Sequence, residues 1–230
     1  MELSLPDEPE RPSPFAIRQV LRRAMAVALP RHWFAVNGPR NDNRVCLTFD
    51  DGPHPEHTLQ VLEVLKEHKV AATFFVIGER ARQYPEIIRR MAEEGHELGH
   101  HSFYHRDPAS VSAAQLIDEA RSTSALIREI AGKAPVLFRP PHGKLTVRKM
   151  LRLWAAGQSI VLWSTDPKDY VRRSADEVAE YIRANPLQGG DIVLMHDNLP
   201  HAAAVLPVLI ASAVKYGLRF TSVSAGIARQ

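Results

Sequence analysis

From residue 44 to residue 223, short apolar runs alternate with longer stretches in which apolar residues recur every three or four positions. The runs "RVCLTF", "AATFFVIG", "HELG", "PVLF", "SIVLW", "DIVLM" and "LRFTSV" read as strands. The stretches "HTLQVLEVLKEHK", "SAAQLIDEARSTSALIREIAG", "TVRKMLRLWAAG" and "ADEVAEYIRAN" read as helices. Strand and helix in alternation, about seven times over, predict a parallel α/β sheet, because parallel neighbours need a crossover connection. No helix opens on a dinucleotide-binding or P-loop glycine pattern, so a nucleotide-binding open sheet is disfavoured. A closed or nearly closed (β/α) barrel is expected instead.

The chain ahead of this alternation reads differently. Residues 1–14, "MELSLPDEPERPSP", are rich in proline and charge and predict a disordered arm. Residues 15–29 carry Ile17, Val20, Leu21, Ala24, Met25 and Ala28 on one helical stripe, with Arg18, Arg22 and Arg23 off it. Such a helix either packs against the main domain or rests its basic amphipathic surface on an anionic membrane. The expected division is an arm with an amphipathic helix over residues 1–40 and a catalytic domain over 41–230.

Composition narrows the field. Hydrophobic residues make up 45% and charged residues 24% of the 230, ordinary for a soluble globular protein with a real core. The net charge of +3 comes without a long Lys/Arg block, which argues against a nucleic-acid footprint. Cys46 is the single cysteine, so no intrachain disulfide can form, and its place in an apolar run predicts a packed small hydrophobe. No run approaches the roughly 20 apolar residues of a membrane-spanning helix. In "RRAMAVALPRHW" the apolar segment stops at Pro30-Arg31, short of the ~7–15 residues of a signal-peptide core. The expected location is cytoplasmic, or peripheral at the cytoplasmic membrane face.

The unusual polar residues fall in one kind of place. Asp50-Asp51 follow the first predicted strand, "HHSFYH" (100–105) the third, "RPPHG" (139–143) the fourth, "STDPKDY" (164–170) the fifth and "HDN" (196–198) the sixth. In a parallel barrel the carboxyl ends of strands gather on one face, where barrel enzymes place their sites. His101 and His105 are four apart and can present both imidazoles in one direction. With one carboxylate of the Asp pair they make three ligands and leave a position for water, the arrangement of catalytic zinc. A divalent cation would relieve the repulsion between the adjacent aspartates and leave the other free for proton transfer.

"TFDDG", "HSFYH", "RPPHG", "DPKDY" and "LMH", in this order, resemble the motifs of the polysaccharide deacetylase family, the NodB-homology domain of carbohydrate esterase family 4. The resemblance spans residues 44 to about 223 and implies a distorted (β/α)7-type barrel holding one divalent metal ion, usually zinc, with cobalt or nickel as substitutes. It implies Asp50 as general base, with Asp51, His101 and His105 as metal ligands and Arg139 orienting Asp50. It implies His196 as general acid, tuned by Asp169, and an oxyanion contact from the His142 backbone N–H. Pro140, Tyr170 and Leu194 fall beside the substrate. The family usually has Tyr where this chain has His142 and Trp where it has Tyr170. The first change adds a titratable ring beside the site, and the second shrinks an aromatic wall.

The function expected is metal-dependent removal of an N-acetyl group from an amino sugar in an oligo- or polysaccharide. Alternatives are deacylation of a lipid-linked sugar at the membrane, suggested by residues 15–29, an O-acetyl esterase, and a carbohydrate-binding pseudoenzyme. The last conflicts with the complete set Asp50, Asp51, His101, His105, Arg139, Asp169 and His196.

Overall fold

Strand β2 (Arg44–Asp50) sorts its side chains by parity, and that sorting organises the molecule. Val45, Leu47 and Phe49 enter the large core under the outer helices, whereas Cys46 joins Phe75, Leu137, Val161 and Ile192 in a smaller inner cluster. Alternation along a strand with both sides covered produces this split. Along the inner side β2 grows more polar toward its carboxyl end, from Cys46 to Thr48 to Asp50, all buried. The computed structural model in which this is seen describes residues 22, 24–172 and 174–228.

The other strands are β1 (Phe34–Ala35), β3 (Thr73–Val76), β4 (Glu97–His100), β5 (Leu137–Phe138), β6 (Ser159–Val161), β7 (Ile192–His196) and β8 (Arg219–Thr221). They form a sheet in the order β1-β6-β5-β4-β3-β2-β7, with β8 beside the start of β2, and every pairing is parallel. The ladder ends at β1 on one side and β7 on the other. The chain leaving β6 crosses that gap: Ser164 donates its N–H to the Ile192 carbonyl, Leu194 donates to the Thr165 carbonyl, and Thr165 bridges Val193. The expected barrel is thus a parallel sheet whose ladder stays open between β1 and β7 among the described residues, the gap being spanned by the Thr165–Val193 bridge and a Gly38–Gly190 hydrogen bond.

The helices are α1, whose described part covers residues 22 and 24–28, then α2 (His57–His68), α3 (Gly78–Gln83), α4 (Pro85–Glu93), α5 (Ala113–Ala131), α6 (Val147–Ala155), α7 (Ala175–Ala184), α8 (Ala202–Lys215) and α9 (Val223–Ile227). Their starts follow local chemistry. Ser112 and Gln115 form a capping box on α5, and Thr146, Ser174 and Ser222 cap α6, α7 and α9 through their hydroxyls. Among the described residues no helix is long and apolar enough to cross a membrane.

The expected arm over 1–14 and most of the helix over 15–29 lie outside the described residues. Within α1, Met25 and Ala26 pack, with Leu29 just beyond, against a second core cluster of Phe34, Phe138, Met150, Leu153 and Ile160. Phe34 and Ala35 lie on the arm side of the boundary expected at residue 40, yet they form β1 and pair with Ile160 and Val161. A two-residue strand is too short to leave a period in the sequence. Cys46 is buried, and burial pushes its thiol up to about 12, which suits a packing role.

Candidate active site

The parallel register aligns the carboxyl ends of the central strands. Asp50 pairs with Phe75 on one side and His196 on the other, so these residues close the inner layer at one height. His101 directly follows β4, Arg139 directly follows β5, and Asp169 lies on the loop that bridges from β6 to β7.

Arg139 is among the largest fully buried side chains of the described residues. It donates from Nη1 to Asp50 Oδ1 at 2.7 Å and to Thr48 Oγ1 at 2.8 Å, and from Nη2 to the Leu162 carbonyl at 3.2 Å. Its guanidinium lies 4.0 Å from the Phe75 ring centroid, which forms one wall of its cavity. Burial raises the pKa of the Asp50 carboxyl, and the Arg139 charge and hydrogen bond oppose that shift.

Asp51 adopts a positive φ of 71°, breaking the alternation that would turn it away from Asp50. Arg80 holds this turn by donating to the Asp51 carbonyl at 2.6 Å. Both carboxylates therefore converge on one imidazole: His101 Nε2 is 3.7 Å from Asp50 Oδ2 and 3.7 Å from Asp51 Oδ1. His105 Nε2 lies 3.3 Å from the same Asp51 oxygen. His101 Nδ1 is 2.6 Å from the Arg139 carbonyl, which can only accept, so Nδ1 carries the proton and Nε2 keeps its lone pair toward the aspartates. Burial pushes the His101 pKa down to about 3 against the pull of Asp51, and burial also lowers that of His105. The His101 ring is held neutral.

These residues fit a divalent metal ion. Ligand atoms of Asp51, His101 and His105 lie within 4.8 Å of one another, and the buried Asp51 Oδ1 finds no hydrogen-bond partner among the described residues. One carboxylate and two imidazoles, one of them oriented through its second nitrogen, form a donor set suited to zinc.

The remaining expected residues surround this centre. His196 donates from Nδ1 to Asp169 Oδ1 at 2.8 Å and from its backbone N–H to Asp169 Oδ2 at 2.7 Å. Burial works against an imidazolium here, but the Asp169 hydrogen bond and charge, with Asp50 and Asp51 behind them, raise the His196 pKa to about 9. Leu194 is buried one strand over, paired with Thr48. Pro140 is buried and leads into the tight turn Pro141–Gly143, where His142 takes φ 55° and sets its ring 5.1 Å from that of His105. The Tyr170 ring is half exposed, 5.1 Å from the His196 ring, and its hydroxyl donates to Asp166 Oδ2 at 3.3 Å. Asp166 also accepts from the Lys168 backbone, so it braces this loop. His100 is fully buried and meets Gln158 at 2.8 Å, away from the cluster.

Sequence reasoning assigned nothing to Asp197, Thr48 or Arg80. Asp197 follows His196, is buried, and accepts from Thr58 Oγ1 at 2.5 Å, while burial pushes its carboxyl up to about 7. Its carboxylate occupies the space beside Gly52: a Cβ there would meet Asp197 Oδ2 at 2.0 Å, so only glycine fits after the Asp pair. An acid retained inside "HDN" was the one available signal. Thr48 and Arg80 left none, since a lone threonine in a strand and a lone arginine in a helix look like many others.

Comparison with known proteins gives a consistent picture. The polysaccharide deacetylase family model matches residues 37–161. A peptidoglycan-N-acetylglucosamine deacetylase of Bacillus cereus is 35% identical over 198 residues, covering 84% of this chain and 71% of the relative. A chitooligosaccharide deacetylase of Bradyrhizobium is 41% identical over 174 residues, covering 75% and 78%. The crystal structure of a peptidoglycan N-acetylglucosamine deacetylase superposes with a TM-score of 0.81 at 33% identity, over 85% of this chain and 93% of that one.

Proposed function

The chain belongs to the polysaccharide deacetylase family, and from that premise we propose that it hydrolyses the N-acetyl group of an amino sugar in an oligo- or polysaccharide. One observation carries this reading: a buried carboxylate held by Arg139, a three-donor metal set and an imidazole with a raised pKa open on the same side of the sheet.

Asp51, His101 and His105 would hold one divalent ion, with zinc suited best and cobalt or nickel compatible; bound there, it acts as a Lewis acid toward the acyl oxygen and makes water more acidic. Asp50 takes the proton from the attacking water. Arg139 keeps Asp50 in place and its charge favours the ionised form. As the carbonyl becomes tetrahedral its oxygen gains negative charge, and the His142 backbone N–H donates to it. The amine cannot leave as an anion, so His196 delivers a proton to the nitrogen as the C–N bond breaks. Asp169 maintains the charged imidazole that this step needs. Pro140, Leu194 and Tyr170 line the space around the acyl group and the sugar.

Peripheral contact with an anionic membrane through residues 15–29 belongs to the same proposal, supported by Arg18 and Arg23 and by the absence of acids between Glu10 and Asp42, while Arg22 turns inward onto Trp163.

The test is acetate release from N-acetylated chito-oligosaccharides and peptidoglycan fragments with zinc or cobalt supplied. Release that disappears on chelation and returns with the metal is expected. A pure, metal-loaded protein that frees no acetate from either class contradicts the proposal.

A further inference from the structure

The two imidazoles of the candidate metal site are held in different ways. His101 is fixed from two sides: its backbone N–H donates to the Val76 carbonyl at 2.8 Å, and its Nδ1 meets the Arg139 carbonyl. His105 ends an irregular segment that begins at Ser102. Both of these residues take positive φ, 64° and 53°, a region that side chains other than glycine enter only when neighbouring structure holds them there. Apart from its approach to Asp51, the His105 ring has no hydrogen-bonding partner among the described residues. Its aim therefore follows from the backbone beneath it.

That backbone is gripped by Glu119, in the second turn of α5. Glu119 Oε2 accepts the N–H of Phe103 at 3.2 Å and that of Tyr104 at 3.4 Å, and Oε1 accepts from Arg106 Nη2 at 2.7 Å. The Arg106 guanidinium in turn lies 4.8 Å from the Tyr104 ring centroid. Glu119 is buried, and a carboxylate leaves water only where hydrogen bonds replace its hydration; here both oxygens are directed at residues 103–106. From the opposite side the first residues of α3 complete the grip. Gly78 and Glu79 donate their N–H groups to the Ser102 and Phe103 carbonyls at 3.0 and 2.9 Å. The close approach needs a glycine, since a Cβ at position 78 would meet the Phe103 ring at 2.5 Å and Thr123 Oγ1 at 2.6 Å. The main chain leading to His105 is thus held by its carbonyls on α3 and by its amides on Glu119.

We infer that Glu119 is a positioning residue for the metal ion, setting its affinity through His105 and leaving His101 as it is. The inference rests on the reading of Asp51, His101 and His105 as the ligands. It extends the site to a helix that contributes no ligand and touches no strand end.

The experiment measures zinc affinity of the full chain by competition with a chromophoric chelator, with no substrate present. Glu119→Ala should bind zinc about 10–100-fold more weakly, the usual effect of losing a partner behind a ligand. Glu119→Gln keeps an oxygen for the two amides and should recover most of the affinity, whereas Glu119→Asp, one methylene short of them, should not. The decisive comparison is a double-mutant cycle. In a His105→Ala background, Glu119→Ala should weaken zinc binding by less than about twofold further, because the ligand it positions is already gone. Melting temperatures of the metal-free variants show that each is folded at the assay temperature, and Glu119→Asp takes the place of alanine in the cycle should the alanine variant not fold. Equal losses in the wild-type and His105→Ala backgrounds, or a glutamine variant as weak as alanine, would overturn the inference. The predicted zinc pattern in a protein that releases no acetate would instead count against the deacetylase proposal and leave the role of Glu119 standing.

Discussion

Asp50 and His196 are register partners across the β2–β7 ladder, side by side at the carboxyl end of the sheet. Parallel pairing makes their side chains emerge on the same side, so the acid and the base of the proposed reaction are placed by backbone hydrogen bonds rather than by loop conformation. Each is then held by one further residue, Asp50 by Arg139 and His196 by Asp169.

The raised pKa of His196 sets the alkaline limit of activity. The protonated imidazole is the working form, so kcat should fall as pH rises through about 9. Asp169→Asn removes the charge that supports the proton, which moves this limb to lower pH and reduces kcat by about 10²-fold or more. The same linkage acts on stability. His196 is raised in the folded state, so its contribution is complete below the ordinary imidazole range and is lost as pH rises through 9. The melting-temperature gap between wild type and Asp169→Asn should therefore narrow from pH 6 to pH 10.

Arg139 and Asp50 form a buried ion pair, with the guanidinium fully sealed from solvent. Arg139→Met should destabilise the fold by about 3–5 kcal/mol in urea denaturation, because it strands the Asp50 charge. Arg139→Lys should recover only part of this. One ammonium cannot reach Thr48, Asp50 and the Leu162 carbonyl from the positions of the guanidinium nitrogens.

The carboxylate of Asp197 fills the space above Gly52. Gly52→Ala should cost about 1–3 kcal/mol and weaken metal binding, since the adjacent Asp51 moves with the turn. Adding Asp197→Ala to that variant should return part of the lost stability. Thermal denaturation and metal titration of the two variants check both statements.

Much of this was legible because the chemistry lies at element ends. The runs around Asp50, His101, Arg139 and His196 are apolar and β-prone up to the residue where they turn polar, and parallel topology gathers such ends on one face. Spacing and residue type pointed to His101, His105 and one acid of the Asp50-Asp51 pair, the family resemblance named Asp51 as that acid, and the structure brings the three together. What stayed hidden depends on long-range geometry. β1 has two residues and no period, and the Thr165 bridge between the sheet ends leaves no local signal. Thr48 matters only because Arg139, 91 positions away, reaches it inside the sheet.

The most direct test compares Asp50→Asn and Asp51→Asn for bound divalent metal by elemental analysis, beside acetate release. The account predicts that Asp50→Asn keeps one ion per chain while kcat drops about 10²–10⁴-fold, and that Asp51→Asn loses the ion. An Asp50→Asn protein stripped of metal beside an Asp51→Asn protein that retains it would contradict the division of roles between the two acids.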